Sequence, residues 1–275
     1  MTDTILVTGV SSGIGYFLAD HLSKAGKKVV GSVRQLESFT PPAHWNDVQL
    51  VSLDMSEPTQ FVAQLEAALK KSGPISTLVN NAGYGVFGPA EALTMSDLTQ
   101  QLQVNFLSVA CLCQKVIPQM RQAGQGQIIN VSSLFGRVSG AYGSAYHASK
   151  FALEGYTESL YFELKPLGIQ VKLIEPGYVE TDFYKKSSRD HLDNLPQQYT
   201  QNLRSPEQVY QGHVGGLISA DQAAQEIIQA MNTPDGPLRF PIGQHAKETL
   251  KLKANMDDNA FVSHWAKNFW IQKPT

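Results

Sequence analysis

Thr4-Ile5-Leu6-Val7-Thr8-Gly9-Val10-Ser11-Ser12-Gly13-Ile14-Gly15 decides the fold. Its first five residues are a short apolar, β-rich run, its glycines predict a tight turn, and the residues from Tyr16 to Ala25 predict a helix closed by Gly26. Glycine permits tight turning and close approach of a ligand, and a helix N-terminus offers unpaired N–H groups and partial positive charge. Strand, turn and helix in that order therefore read as a cradle for a pyrophosphate. The spacing is G-x-x-x-G-x-G rather than the common G-x-G-x-x-G. A plain turn is the competing reading of such glycines, and the strand before and helix after them favour a nucleotide.

Working outward, further apolar runs at Lys28–Val33, Val48–Ser52, Ile75–Val79, Ile128–Val131, Ile169–Ile174 and Leu238–Ile242 alternate with helical patterns. That alternation predicts an α/β fold with a doubly wound, parallel, seven-stranded Rossmann-like sheet, in which ligands gather at the carboxyl ends of the strands. A polar, aperiodic stretch over 183–217 is expected to be a lid or binding segment rather than structureless chain. The tail, 245–270, predicts one or two amphipathic helices with Phe261, Trp265, Phe269 and Trp270 near one apolar side, packed on the body or on a partner subunit.

The whole chain, 1–275, reads as one domain: 275 residues, 42% of them hydrophobic and 17% charged, suffice for a full core. A net charge of −2 gives no general attraction for nucleic acid or an anionic membrane. The two cysteines form Cys111-Leu112-Cys113, which matches no zinc framework, so no metal site is expected and the thiols read as core residues of a reducing compartment. The start of the chain has no basic leader and there is no long apolar run, so neither a signal peptide nor a spanning helix is expected and the cytoplasm is the expected location.

Several strand exits carry polar residues suited to a ligand. After the second strand stand Val33 and Arg34, where an acid would bind a ribose 2′-hydroxyl; a guanidinium suits a 2′-phosphate, so Ser11 and Arg34 are candidate phosphate contacts and NADP(H) is expected over NAD(H). A solvated loop charge is the other reading of Arg34. Asp54 follows the third strand, either to bind an adenine or to start a helix, and Ser56 is expected to be the N-cap of a helix running to Lys71. Asn80-Asn81-Ala82-Gly83 follows the fourth strand, with amides able to brace neighbouring backbones. Tyr84 and Phe87 lie beyond it. A long helix from Thr94 or Ser96 to Gln122 carries Asn105 in apolar company, where it either satisfies a backbone group or holds a water.

The remaining candidates concern chemistry. Tyr146 and Lys150 stand at i and i+4, so on a helix the phenol and the ammonium share a face. A free tyrosine has a pKa of about 10, and a fixed cation favouring the phenolate tunes it for general acid-base work. Ser133, just past the strand Ile128–Val131, offers a hydroxyl to a substrate oxygen. A Y-x-x-x-K pair alone is more often a solvated helix face, and only its company distinguishes the two. Thr181, after Pro176 and Gly177, offers a hydroxyl and an N–H to a carboxamide.

Taken together, Thr8 to Gly15, Asn80 to Gly83, Asn105, Ser133, Tyr146-His147-Ala148-Ser149-Lys150 and Pro176-Gly177 resemble the ordered motif set of the short-chain dehydrogenase/reductase family, over roughly residues 4 to 182. The resemblance implies that Tyr146 exchanges a proton with the carbinol oxygen. It also implies that Lys150 lowers the pKa of Tyr146 and holds the nicotinamide ribose, that Ser133 orients the substrate, and that Asn105 holds a water. Cofactor contacts are implied for Gly9, Ser11, Ser12, Gly13, Ile14, Gly15, Arg34, Asp54, Asn81, Ala82, Gly83, Tyr146, Lys150, Pro176, Gly177 and Thr181. A homodimer or homotetramer is the implied assembly. The expected activity is NADP(H)-dependent interconversion of an alcohol and its ketone or aldehyde, on an apolar small molecule if Tyr84, Phe87, Phe135, Tyr142, Tyr178, Phe183 and Tyr184 face the cleft. Two alternatives stand beside it: an NAD-preferring dehydrogenase and a catalytically idle NADP-binding sensor.

Overall fold

The protein is described from a computed structural model, covering residues 4–187, 190–193, 195–212 and 217–271. Six strands and their crossovers arrive in the predicted order: β1 (Thr4–Thr8), α1 (Gly13–Lys24), β2 (Lys28–Val33), β3 (Val48–Ser52), α2 (Pro58–Ser72), β4 (Thr77–Asn80), α3 (Met95–Leu102), α4 (Ser108–Ala123), β5 (Gly126–Val131), α5 (Ser144–Leu164) and β6 (Ile169–Pro176). Beyond β6 come β7 (Val179–Glu180), α6 (Phe183–Lys186), α7 (Gln197–Asn202), α8 (Pro206–Gln211), β8 (Ile218–Ser219), α9 (Ala220–Met231), β9 (Arg239–Ile242), α10 (Gln244–Ala254) and α11 (Asp258–Trp265).

The main sheet has seven strands in the order β3-β2-β1-β4-β5-β6-β9, and every pairing in it is parallel. Because β1 leads to β2 on one side while β4 docks on the other, the strand order reverses between β1 and β4. A crevice opens there at the carboxyl ends.

Alternation within each strand separates two cores. Leu6, Val30, Leu78, Ile128 and Val171 face Phe61, Leu65, Leu112, Val116, Met120, Leu153 and Leu160 of α2, α4 and α5. Their strand neighbours Ile5, Val7, Val29, Val79, Ile129 and Ile174 face Leu18, Leu22, Ala223 and Ile227 of α1 and α9. Both faces are covered, which is why these strands read as continuous apolar runs. The expected seven-stranded, doubly wound α/β sheet is therefore observed. Among the described residues, no helix is long and apolar enough to cross a membrane.

Four expectations need correction. The helix predicted from Thr94 or Ser96 to Gln122 is interrupted: α3 is capped by a Thr94–Asp97 capping box, and a π turn over Gln103–Leu107 separates it from α4. Ser56 does not cap α2, whose N-cap is Glu57; its N–H and hydroxyl both donate to Asp54 Oδ1, at 3.0 and 2.6 Å. The described part of the lid is not aperiodic but holds three short helices. It is closed at its base by the parallel pair β7–β8, two residues long on each side. In the tail, Phe261, Trp265 and Phe269 are buried against Leu134, Val138 and Val209, whereas Trp270 is 36% exposed and lies off that apolar side.

Candidate active site

One cleft of about 620 Å³ lies at the carboxyl ends of the strands, and all the sequence-predicted cofactor and catalytic residues except Gly15 and Asn105 line it. The glycine turn forms its floor. Gly9 has φ +74° and Gly13 φ +59°, left-handed conformations that cost a residue with a side chain about 1–2 kcal/mol. Gly15 is needed for space: a Cβ there would lie 2.2 Å from Gly9 O and 2.4 Å from Asn81 Nδ2.

That second contact shows what Asn81 does. Its side chain donates to Thr8 O at 2.9 Å and Gly9 O at 3.3 Å, while the N–H groups of Asn81 and Ala82 both donate to Thr8 Oγ1 at 2.9 Å. The amide expected to brace backbones thus ties the exit of β4 to that of β1. Asn80 performs the same task one strand over, donating to Asn130 Oδ1 at 2.8 Å. Arg34, exposed, lies at the end of β2 with Ser11 across the turn in the same cleft. Asp54 also lines it, with one carboxylate oxygen occupied by Ser56. Thr181 faces the glycine turn, its Cγ2 3.4 Å from where a Gly13 Cβ would stand, and its Oγ1 accepts from Phe183 N at 3.2 Å.

The catalytic candidates converge where β5 meets α5. Lys150 donates to Val131 O at 2.9 Å, and its Nζ lies 5.8 Å from the centroid of the Tyr146 ring. Ser133 and Tyr146 line the same part of the cleft, and Ser133 Oγ accepts from Phe135 N at 3.1 Å. Burial pushes Tyr146 up to about 12, outweighing the nearby Ser133 hydroxyl, which pulls it down. Burial likewise brings Lys150 down to about 8, opposed by the charge of Glu154 one turn on. The expected lowering of the phenol by Lys150 is therefore not what governs this protein state: desolvation favours the neutral form of both groups. Asn105 sits in the π turn behind them. Its amide donates to Tyr84 O at 2.9 Å and Ser149 Oγ at 3.0 Å and accepts from Tyr84 N at 3.2 Å, so the side chain is used in bracing.

A family model described as short chain dehydrogenase matches residues 3–192. The chain belongs to the short-chain dehydrogenase/reductase family. It is 36% identical over 202 residues to a 3-ketodihydrosphingosine reductase of Bacteroides thetaiotaomicron, covering 73% of each chain. Among solved structures it superposes on a short-chain dehydrogenase from Streptomyces avermitilis with TM-score 0.84 and 30% identity, covering 96% of both chains. A short-chain dehydrogenase from Burkholderia cenocepacia in complex with NADP gives TM-score 0.75 at 25% identity, covering 95% of this chain and 96% of that one. The family are oxidoreductases that bind a nicotinamide cofactor, and the residues of the cleft fit one: a glycine turn with no room for a side chain at Gly15, N–H groups at the start of α1, and Lys150 beside Tyr146.

Above that family site, the cleft is walled by aromatic rings. Tyr84, Phe87, Phe135, Tyr142, Tyr178, Phe183 and Tyr184 all line it, as expected if they face the substrate. Phe87 and Phe183 pack on Tyr146 with centroids 5.8 and 5.5 Å away. Tyr142 is the one non-glycine described residue with a left-handed backbone, φ +64°, and its carbonyl accepts from Gly88 N at 2.8 Å. Strain of this kind persists only where its surroundings hold it.

Sequence reasoning missed His147, Val209, Tyr210 and Phe269 as cleft residues. His147 stacks on Phe135 at 4.6 Å, accepts from Gly140 N through Nδ1 at 3.3 Å, and is held neutral by burial, its pKa down to about 3. Val209 and Tyr210 had a readable signal: Ser205 and Gln208 form a capping box that starts α8. Phe269 had none, since its position depends on where the tail packs.

Proposed function

We propose that this protein is an NADP(H)-dependent oxidoreductase that interconverts an apolar alcohol and its ketone or aldehyde. The observation that carries this reading is the convergence of Ser133, Tyr146 and Lys150 at the end of β5, in the same cleft as the glycine turn. When bound, NADPH supplies the hydride. With its pKa near 12, Tyr146 is protonated at neutral pH and donates to the oxygen of a carbonyl as it becomes an alcohol. Ser133 orients the substrate oxygen beside the same phenol. Lys150, anchored to Val131 O, holds the ribose side and stabilises the phenolate left by proton transfer. The aromatic wall excludes water and favours an apolar substituent on the reacting carbon.

Arg34 supports NADP(H) over NAD(H): its guanidinium stands at the end of β2 with no ion pair among the described residues. Phe151 and Phe162, 44% and 68% exposed on the outer face of α5, support self-association through the long helices. The reading keeps the expected cytoplasmic location.

The test is Tyr146→Phe, assayed for NADPH oxidation with a panel of apolar ketones. Loss of kcat by roughly 10²–10⁴-fold with NADPH affinity retained is expected, the usual share of general acid-base catalysis. Retention of activity within a few-fold overturns the assignment.

A further inference from the structure

Phe269 lies outside the span that the family model matches, yet its ring lines the cleft. It is held from three directions. Arg204 N, in the lid, donates to Phe269 O at 2.7 Å, and Arg204 Nη1 donates to Lys267 O at 3.2 Å and Asn268 O at 3.1 Å. Leu203 and Trp270 form an antiparallel bridge beside it, and Ile271 N donates to Asn202 O at 2.9 Å. From α11, Trp265 packs edge-on against the Phe269 ring at 5.9 Å and donates through Nε1 to Ser139 O at 2.8 Å.

The third side is Gly140, on the loop between Ser133 and Tyr146. A Cβ on Gly140 would lie 2.4 Å from Phe269 Cζ and 2.6 Å from Cε1, so the ring rests directly on the loop backbone. Gly140 N in turn donates to His147, the neighbour of Tyr146. Every polar tie of Phe269 is made by its backbone, and the ring contributes bulk alone. Removing the ring therefore leaves the clamp between tail and lid in place and changes the volume of the cleft.

We infer that Phe269, seated on Gly140, is a specificity-determining residue that limits the length and bulk of the substituent the cleft accepts on the reacting carbonyl carbon. This rests on the carbonyl-reductase reading and deepens it. One or a few methylenes in an apolar pocket alter discrimination by about 10–200-fold. Opening the wall should shift the chain-length profile by a factor in that range, whereas a merely structural role would weaken all substrates together.

The experiment compares wild type, Phe269→Ala, Gly140→Ala and the double variant on methyl ketones from butanone to dodecanone with NADPH. Binding of the same ketones is read in parallel by quenching of tryptophan fluorescence. In Phe269→Ala the ratio of kcat/KM for dodecanone to that for butanone is expected to rise about tenfold or more, with KM for NADPH unchanged. Gly140→Ala, whose methyl displaces the ring, is expected to shift the ratio the opposite way, and to lose that effect once Phe269 is alanine. A ratio that stays within twofold, or a parallel loss on every ketone, overturns the inference. If wild type reduces no ketone, the carbonyl-reductase reading fails instead, and the chain-length dependence of the quenching constants alone decides for or against Phe269 as the wall.

Discussion

The two halves of the cleft are built from different materials. On the cofactor side the shaping groups are backbone: Gly9, Gly13 and Gly15, carbonyls of Thr8 and Gly9, and a conjunction of strands clamped by Asn81 and Thr8 Oγ1. On the substrate side they are side chains, a wall of rings from the loops after β4, β5 and β6, the lid and the tail, seated on one another. A backbone surface cannot vary without breaking the turn, while a wall of rings can change size one residue at a time. The first half is thereby committed to one ligand class, and the second is open to many.

The sharpest way to break that contrast is to add one methyl group on each kind of surface. Gly15→Ala places a Cβ 2.2 Å from a backbone oxygen that cannot give. Overpacking of this sort costs about 1–3 kcal/mol, so NADPH is expected to bind roughly 100-fold more weakly by fluorescence titration. Gly155, in α5 with open space around its Cβ position, is the control: Gly155→Ala should leave NADPH affinity alone and raise the melting temperature slightly. Equal affinities in the two variants would show that the turn is less constrained than its geometry indicates.

Beneath the cleft lies a charge cluster with Glu154 and Glu175 buried at its centre. Glu175, at the end of β6, accepts from Arg137 of the substrate loop at 2.9 Å and lies 3.5 Å from Arg239; Arg239 also donates to Glu154 and Glu158, at 3.0 and 2.7 Å. Burial, and the charge of Glu154, push Glu175 up to about 7. A folded-state pKa above the unfolded one means that the folded state binds the extra proton, so this contribution to stability is full below about pH 4.5 and is lost as pH rises to about 7. His147 acts oppositely, its lowered pKa making stability rise with pH up to about 6.5. The two are separated by difference. Relative to wild type, Glu175→Gln should gain stability as pH rises from 5 to 7, by at most about 3 kcal/mol, read from urea midpoints. A difference that does not vary with pH would place the proton elsewhere in the cluster.

The same contrast explains what was legible in the sequence. The inner strands of the main sheet could be read because burial on both faces turns them into apolar runs, and the glycine turn because its backbone demands leave glycines behind. The β7–β8 pair could not, since two residues carry no period and their pairing spans the whole lid. Nor could the π turn at Asn105, because one wider turn barely alters the apolar spacing of α3 and α4. Ser56 was misread because an Asx-type bond to Asp54 and an N-cap use the same residue types at nearly the same place. Tyr146, Lys150 and Ser133 were found as a group by motif, yet their electrostatics were not, since desolvation depends on the rings that the lid brings over them. Phe269 and His147 are cleft residues only by virtue of the tail and the loop packed around them.

Arg34 is the exception on the cofactor side, a side chain where the rest is backbone, and it should behave accordingly. It is exposed, so any phosphate it meets is partly screened by water and salt. Hydrogen bonds to charged groups are worth about 1.5–3 kcal/mol, and exposure places Arg34 at the lower end. Arg34→Ala is therefore expected to cut the proposed preference for NADPH over NADH, measured as the ratio of kcat/KM values, by about tenfold. That is less than the methyl on Gly15 costs, and it comes without loss of NADH turnover. The preference of wild type should also shrink as salt is raised, while that of the variant should not. If Arg34→Ala leaves the ratio unchanged, its guanidinium is a solvated loop charge, and selection between the two cofactors falls to Ser11 and the glycine turn itself.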